Sequence, residues 1–289
     1  MLILLPPSEG KTAPARGRAV DLTTLTRPDL AEARTQVLQA LQRASSRRDA
    51  AALLGVGASL RDEVARNTNL TEAATASADQ VYTGVLYTAA GLADLTGAAR
   101  RRANASVRIV SALWGVLAPG DRIPAYRLSM GTTLPGVGPL ARHWSRALGG
   151  ELREEPPARR ENPPGPHESP PGLKKSARNA HEDRSGPGQD VIIDCRSAAY
   201  LAAWKPPDGT PWLTVRVVAE TDGVRTVVSH HAKHTRGVLT HHLLTRPGRP
   251  PRTVRAAVDA ANELVGPVLR EVNHLQAAKG PDTLELVLA

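Results

Sequence analysis

Phenylalanine is absent from the 289 residues, aromatic residues make up only 3%, and cysteine occurs once, at Cys195. A single cysteine excludes an internal disulfide and any zinc site with several cysteines. The first apolar run, residues 1–5, is too short for the apolar region of a secretory signal, and no basic segment precedes it. No stretch approaches the roughly 18 apolar residues of a membrane span. We therefore expect a cytoplasmic protein that makes no membrane contact.

The rest of the composition is typical of a folded, basic protein. Hydrophobic residues make up 41% of the chain, and the formal net charge is +9. Residues 151–190 differ from the rest, because they contain eight prolines and no apolar period, which favours a disordered, Pro-rich insert. This insert holds seven Lys/Arg and eight Asp/Glu, so the remaining residues carry a net charge of +10. Such a charge suits nucleic acid or an anionic small ligand as a partner.

Apolar runs predict the strands of a buried sheet. Residues 2–5, 107–111 and 191–195 are largely continuous apolar runs, typical of central strands. Asp222-Gly223 predicts a hairpin turn between two alternating runs. Those two strands are predicted at 213–219 and 224–229, and a last strand at 283–288.

Helical periods complete the fold prediction. They lie at 28–44, 47–54, 58–67, 138–148, 196–203, 236–245 and 252–270. We predict a mixed α/β (α+β) fold in which helices flank a central mixed sheet. It forms a single domain over residues 1–289, interrupted by the insert 151–190.

The first predicted strand leads into Gly10-Lys11-Thr12, the last three residues of a phosphate-binding P-loop, G-x-x-x-x-G-K-[ST]. The first glycine of that motif is missing, since Leu5 stands in its place. The two prolines that follow have no N–H to offer a phosphate. We interpret the segment as a rigid strand exit. It presents Ser8, Glu9 and Lys11 at the carboxyl edge of the sheet, where ligands of α/β proteins bind.

Two further blocks carry residues suited to a cleft. The strand that ends at Ser111 leads into a loop with Tyr126 and Arg127, which is either a site or a solvated turn held by its prolines. Tyr82, like Tyr126, has small polar neighbours, which suits a cleft wall. Lys233 and Arg236 lie three residues apart at the start of the predicted helix 236–245. There they would help hold an anion beside the helix N-terminus.

Five histidines follow the predicted hairpin, and they raise the question of a metal site. No Asp or Glu lies between positions 223 and 255, and the neighbouring cations would repel a metal ion. We therefore predict neither a metal site nor a cofactor, and interpret these histidines as surface or half-buried residues. They are His230, His231, His234, His241 and His242.

Two glycine turns also stand out. Gly55-Val56-Gly57 lies between two short helical periods. Helix-hairpin-helix modules grip DNA phosphates with the amides of such a turn, without reading sequence. Many helix–helix turns contain glycine, so the signal is weak by itself. The similar segment 134–141 lacks a preceding helical period and is interpreted as a plain loop.

Taken in order along the chain, these blocks resemble the YaaA family, the peroxide-stress proteins of bacteria. The resemblance is carried by MLILLPPSEGK, VYTGVLY, SALWGVLAPGDRIPAYRLSMG, SAAY and AKHTRG, and spans nearly the whole chain outside 151–190. Many members have only a short connection where this chain has the insert. The matching positions are Ser8, Lys11, Tyr82, Thr83, Gly84, Ser111, Gly115, Tyr126, Arg127, Lys233, Arg236 and Gly237.

The resemblance implies a cytoplasmic, single-domain, mixed α/β protein with a basic cleft. It also implies a helix-hairpin-helix, near 47–67, and an association with DNA binding and with limiting damage from iron and peroxide. Glu9 joins the cleft candidates through its place in the strand exit.

Three functional hypotheses follow. The first is a stress protein that binds DNA without sequence specificity, through the hairpin Gly55-Val56-Gly57 and a basic cleft. The second is an enzyme that acts on a phosphate- or carboxylate-bearing ligand, possibly a nucleotide, in that cleft. The third, which we rank last, is an interaction protein that uses the Pro-rich insert as a ligand.

Overall fold

A computed structural model describes residues 1–149, 152, 190–221 and 224–289. Its centre is a largely parallel sheet. Strand β1 (Leu2–Leu5) lies between β3 (Val107–Ser111) and β8 (Ile192–Asp194), and pairs in parallel with both. All three strands are buried along their whole length. The continuous apolar runs predicted these central strands correctly, because a strand covered on both faces has no polar side.

The sheet extends on both sides of this centre. β8 pairs in parallel with β9 (Trp212–Thr221), which pairs in parallel with β12 (Asp282–Leu288). The outer strands are antiparallel: β4 (Gly115–Leu117) beside β3, β11 (Leu269–Leu275) beside β12, and β10 (Val224–Val227) beside β9. Two small ribbons complete the strands: β2 (Ala76–Ser77) with β5 (Arg122–Ile123), and β6 (Thr133–Leu134) with β7 (Gly138–Pro139).

Helices flank this sheet, and the mixed α/β prediction is confirmed. They are α1 (Ala31–Ser45), α2 (Ala50–Leu53), α3 (Arg61–Arg66), α4 (Ala78–Val81), α5 (Val85–Ala90), α6 (Gly97–Ser106), α7 (Leu140–Ala147), α8 (Ala198–Leu201), α9 (Ser229–Thr245) and α10 (Val254–Asn262). Short 3₁₀ segments lie at Pro28–Leu30, Ala58–Leu60, Asn67–Asn69 and Leu92–Asp94. Within the described residues, no helix is both long enough and apolar enough to cross a bilayer.

Several predicted boundaries are wrong. Residues 252–270, predicted as one helical period, contain α10, which ends at Asn262, and the start of β11, and Gly266 and Pro267 lie in the turn between them. The segment 134–141 belongs to the β6–β7 hairpin and to the start of α7. The predicted strand 224–229 ends at Val227, and α9 begins at Ser229 rather than at 236.

Two predictions fall on parts of the chain that the structure does not describe. Asp222 and Gly223 lie outside the described residues, although the strands on either side pair antiparallel, Thr221 opposite Val224. The predicted disordered insert 151–190 also lies outside them, except for two positions. Leu152 is buried, and Asp190 bonds the N-terminal ammonium of Met1 at 2.9 Å.

A buried arginine attaches α1 to the loop after β3. The Arg34 guanidinium donates to the carbonyl oxygens of Trp114 (2.9 Å) and Val116 (3.0 Å) in that loop, and of Arg27 (2.9 Å). Burial lowers the pKa of Arg34 to about 10. On the other side of the same loop, Gly115 has φ 71°, and a Cβ there would lie 2.5 Å from the Trp144 ring. These contacts hold the loop that carries part of the candidate site.

Candidate functional site

The candidate residues converge where the parallel strands end. β1 continues through Pro6 and Pro7 to Ser8, while β3 ends at Ser111 in the neighbouring position. The chain after Ser8 then docks against the end of α4. Parallel strands place their carboxyl ends at one edge of a sheet, so residues distant in sequence meet there.

The strand exit forms a short ribbon with residues 81–83 instead of a phosphate cradle. Lys11 pairs with Tyr82 as an antiparallel bridge, and the Thr12 N–H donates to the Val81 carbonyl oxygen at 2.9 Å. The Thr83 N–H donates to the carbonyl oxygen of Gly10 at 3.3 Å. The Thr12 amide is thus bonded to protein and unavailable to a phosphate. Lys11 reaches the site through its side chain.

The Lys11 amine lies against backbone oxygens and aromatic rings. Its Nζ donates to the Ser8 carbonyl oxygen at 2.6 Å and to the Glu9 carbonyl oxygen at 3.4 Å. It also lies 4.4 Å from the centroid of the Tyr126 ring and 5.6 Å from that of Tyr82. Burial, and then the nearby Arg127 guanidinium, lower the pKa of Lys11 to about 7. The amine is therefore largely unprotonated at slightly alkaline pH.

A chain of hydroxyl groups lies beneath Lys11. The Tyr126 hydroxyl is 2.9 Å from the Tyr82 hydroxyl and 2.7 Å from Ser111 Oγ. Ser111 Oγ also accepts the N–H groups of Leu113 (3.2 Å) and Trp114 (3.1 Å), so its own proton points to Tyr126. Burial raises the pKa of Tyr82 and of Tyr126 well above the usual value, so both phenols keep their protons.

Tyr82 and Tyr126, the two tyrosines predicted to line a cleft, are both buried. Tyr82 is 1% exposed and Tyr126 is 3% exposed. The exposed part of the site consists of Glu9, Thr83 and Lys233, with Lys11 and Arg127 half-buried below them. The Thr83 hydroxyl lies 3.4 Å from Thr12 Oγ1.

Arg127 is held in place from both sides. Its backbone N–H donates to Asn67 Oδ1 at 2.8 Å, and Asn67 Nδ2 donates to its carbonyl oxygen at 2.8 Å. The guanidinium Nη1 donates to the Glu9 carbonyl oxygen at 3.2 Å and lies 3.4 Å from the Glu63 carboxylate. Across the opening, Lys233 Nζ is 3.8 Å from the Glu9 carboxylate.

Two predicted residues do not face this opening. Arg236 Nη2 donates at 2.8 Å to the Val215 carbonyl oxygen, between the parts of β9 that pair with β8 and β10. Arg236 therefore supports the sheet edge, and because α9 begins at Ser229 it does not lie at a helix start. Ser8 is 7% exposed, and its Oγ packs against Gly84, where a Cβ would lie 2.3 Å away.

Two further residues complete the site. Asn67, which follows α3, orients Arg127; it was missed from the sequence alone, because no local pattern marks that role. Tyr200 has small polar neighbours in the sequence, as Tyr82 and Tyr126 do, and its hydroxyl accepts the Met130 N–H near Glu9 and Arg127. Burial raises the pKa of Tyr200 to about 12.

The glycine turn joins two short helical segments next to this site. Gly55 has φ 65°, which favours glycine, and both Gly55 and Gly57 are exposed. Val56 is half-buried and packs against the core. The 3₁₀ segment Ala58–Leu60 and α3 follow the turn. Glu63 of α3 pairs with Arg127, which links the segment that follows the turn to the candidate site.

The fold and site define a mixed α/β protein whose polar and cationic side chains meet at the carboxyl edge of a central sheet. The family model described as peroxide stress protein YaaA matches residues 1–259. A UPF0246 protein of Streptomyces coelicolor is 39% identical over 269 residues, which cover 91% of this chain and 92% of that protein. A UPF0246 protein of Corynebacterium efficiens is 37% identical over 262 residues, covering 90% and 91%.

This chain belongs to the peroxide stress protein YaaA family. The resemblance seen in the ordered sequence blocks is thereby confirmed, and so is the broad role in peroxide stress that the family description carries.

Proposed function

We propose that this protein limits peroxide damage by binding DNA through its phosphates, without reading base sequence. The observation that supports this most directly is the continuity of the exposed Gly55-Val56-Gly57 turn with the cationic cleft, through the Glu63–Arg127 pair. A phosphate backbone following this surface would meet the turn first and Arg127 next.

Free donors and cations surround the turn. Among the described residues, none accepts a hydrogen bond from the backbone N–H of Ala58 or Ser59, as expected at the start of a helical segment. Arg48 and Arg61 are exposed on either side of the turn. Exposed amides combined with arginines are the donors that phosphate oxygens accept.

Substitution of Gly57 by valine tests this proposal cleanly. Gly57 has φ −69°, and only Ser59 Oγ lies within 4.0 Å of a Cβ built there, so the fold tolerates the side chain. Valine would block the approach of a phosphate to the amides that follow. We expect Gly57→Val to weaken binding of a labelled duplex about tenfold, since a hydrogen bond to a charged group contributes ~1.5–3 kcal/mol.

The measurement is fluorescence anisotropy of a duplex of arbitrary sequence against salt concentration. The wild-type affinity should fall steeply with salt and change little with sequence, because counterion release dominates phosphate binding. Arg61→Ala should make the salt slope shallower by about one unit. Gly120→Val, in an exposed turn with nothing within 4 Å of its Cβ, is the matched control. Equal affinities for wild type and Gly57→Val would remove the turn from the interface.

A second proposed function is recognition of a small anion in the cleft, as the first step of an enzymatic reaction. It is supported by the donors that converge there: Lys11 Nζ and Arg127 Nη1 both donate to the Glu9 carbonyl oxygen, with Lys233 across the opening. Such a cluster suits a carboxylate or phosphate group.

Titration calorimetry with inorganic phosphate and with pyruvate tests this second function. Arg127→Ala should weaken binding, whereas Arg255→Ala, exposed on α10, should not. Equal binding by both variants would exclude Arg127 as the anion contact.

A further inference from the structure

The Lys11 amine has surroundings that differ from those of an ordinary lysine. Among the described residues, no carboxylate lies within ion-pair distance of its Nζ. The Glu9 carboxylate is directed at Lys233, and the Glu63 carboxylate at Arg127. Within the part of the chain that the structure describes, the hydrogen-bond acceptors of Lys11 Nζ are the carbonyl oxygens of Ser8 and Glu9.

A second cation shares one of those oxygens. Arg127 Nη1 lies 3.2 Å from the Glu9 carbonyl oxygen, and Lys11 Nζ lies 3.4 Å from it. Two positive charges this close repel each other, so the one that can lose a proton does so more easily. This agrees with the lowered pKa of Lys11, about 7, for which burial is the first cause and Arg127 the second. An arginine keeps its charge under the same conditions.

The site therefore places an amine that loses its proton near neutral pH beside a permanent cation. The Lys11 side chain is half-buried, and its Nζ lies 4.4 Å from the centroid of the Tyr126 ring. The phenols of Tyr126 and Tyr82, bonded to each other and to Ser111, form a chain of hydroxyl groups next to the amine. A deprotonated amine, an anion contact and neighbouring hydroxyl donors together suit covalent capture of a carbonyl compound.

We propose that the Lys11 amine forms an imine with a small anionic carbonyl compound, such as a 2-oxo acid, whose carboxylate binds Arg127. The inference rests on the proposed anion-binding function of the cleft. The amine nitrogen adds to the carbonyl carbon, and a carbon–nitrogen double bond replaces the carbon–oxygen double bond. The oxygen leaves as water with the two hydrogens of the amine, so the step needs neither oxidant nor reductant.

Reductive trapping on the full chain tests the imine. The protein is incubated with pyruvate and sodium cyanoborohydride, and the alkylated lysines are located by peptide mass spectrometry. The six lysines of the chain compete in one tube, so wild-type protein supplies its own controls. An amine with a pKa near 7 is about half neutral at neutral pH, whereas an ordinary lysine is roughly 0.04% neutral. We expect Lys11 to be labelled at least about tenfold faster than Lys205, Lys233 or Lys279, with a rate that rises through a midpoint near pH 7.

Two comparisons distinguish imine formation at Lys11 from unselective alkylation of exposed lysines. Arg127→Leu should slow labelling by pyruvate much more than labelling by hydroxyacetone, which has no carboxylate. Lys11→Arg should abolish the selective adduct, because the guanidinium keeps its proton and cannot add to the carbonyl carbon. Equal labelling of all lysines in the wild type would overturn the proposal.

Calorimetry with pyruvate in the absence of reductant separates this inference from the cleft function on which it rests. If pyruvate binds but reductive trapping alkylates no lysine selectively, the cleft binds anions and the proposed imine is wrong. If pyruvate neither binds nor forms an adduct, both proposals are wrong for this class of ligand.

Discussion

At the scale of single residues, the environment of Lys11 raises the free energy of its protonated form. Its pKa falls from 10.5 to about 7 in the folded chain, because burial removes water and Arg127 adds a second positive charge. Below pH 7 both the folded and the unfolded chain hold this proton, and the folded state bears the full penalty. Between pH 7 and about 10.5 the unfolded chain binds more protons, so this group makes stability rise with pH.

Replacing Lys11 by methionine removes that dependence. We compare the melting temperature of Lys11→Met with that of wild type at each pH. The comparison should favour the variant most near pH 6.5, and the difference should shrink as the pH approaches 10. Thermal unfolding of both proteins at several pH values measures it. Lys233→Met, at a site where the side chain is 55% exposed, is the matched control. A constant difference for Lys11→Met would mean that the pKa of Lys11 is not lowered.

At the scale of elements, the packing of α9 against α5 positions one part of the candidate site. Gly237 lies at the crossing of the two helices. A Cβ at this position would be 2.3 Å from the Leu86 carbonyl oxygen and 2.7 Å from the Ala89 Cβ. The close approach holds α9, and therefore Lys233, beside the strand exit that carries Glu9.

Alanine at position 237 should therefore destabilise the protein although alanine favours helices. The gain in helix propensity is at most ~1 kcal/mol, while forcing atoms into a packed crossing costs about 1–3 kcal/mol. We expect Gly237→Ala to lower the melting temperature by several degrees. Gly120→Ala, with open space around its Cβ, should change it little. Equal melting temperatures for the two variants would show that the helices separate without cost.

At the scale of the whole molecule, the central strands form the most deeply buried part. Cys195 follows β8 directly and is 0% exposed, and burial raises the pKa of its thiol to about 12. A thiol in this state is a poor nucleophile, and a reagent cannot reach it without opening the sheet.

The single cysteine should therefore report global unfolding. We expect the native protein to react with a disulfide reagent such as DTNB only at the rate at which the sheet opens, and the rate should rise with denaturant. Ala278→Cys, at an exposed position, adds a thiol that should react at once. Rapid reaction of the native wild-type thiol would show that the region around β8 opens locally.

The residue pattern alone was sufficient to predict those features that depend on neighbouring residues in the sequence. The apolar runs predicted β1, β3 and β8, because strands buried on both faces need no polar side. Pro6 and Pro7 argued against a P-loop, since their missing N–H groups are a property of the residues themselves. The ordered blocks identified the family before any contact was known.

Only the tertiary structure shows which groups the candidate site residues contact. Lys11 and Arg127 are separated by more than a hundred positions, and their meeting on the Glu9 carbonyl oxygen depends on how β1 and the loop after β3 end at the same edge. The same holds for Arg236. Its spacing from Lys233 predicted an anion contact, whereas in the fold it donates to a carbonyl oxygen of β9. Side-chain charge and pKa are set by burial and by non-local neighbours, and neither is encoded in the spacing of residues along the chain.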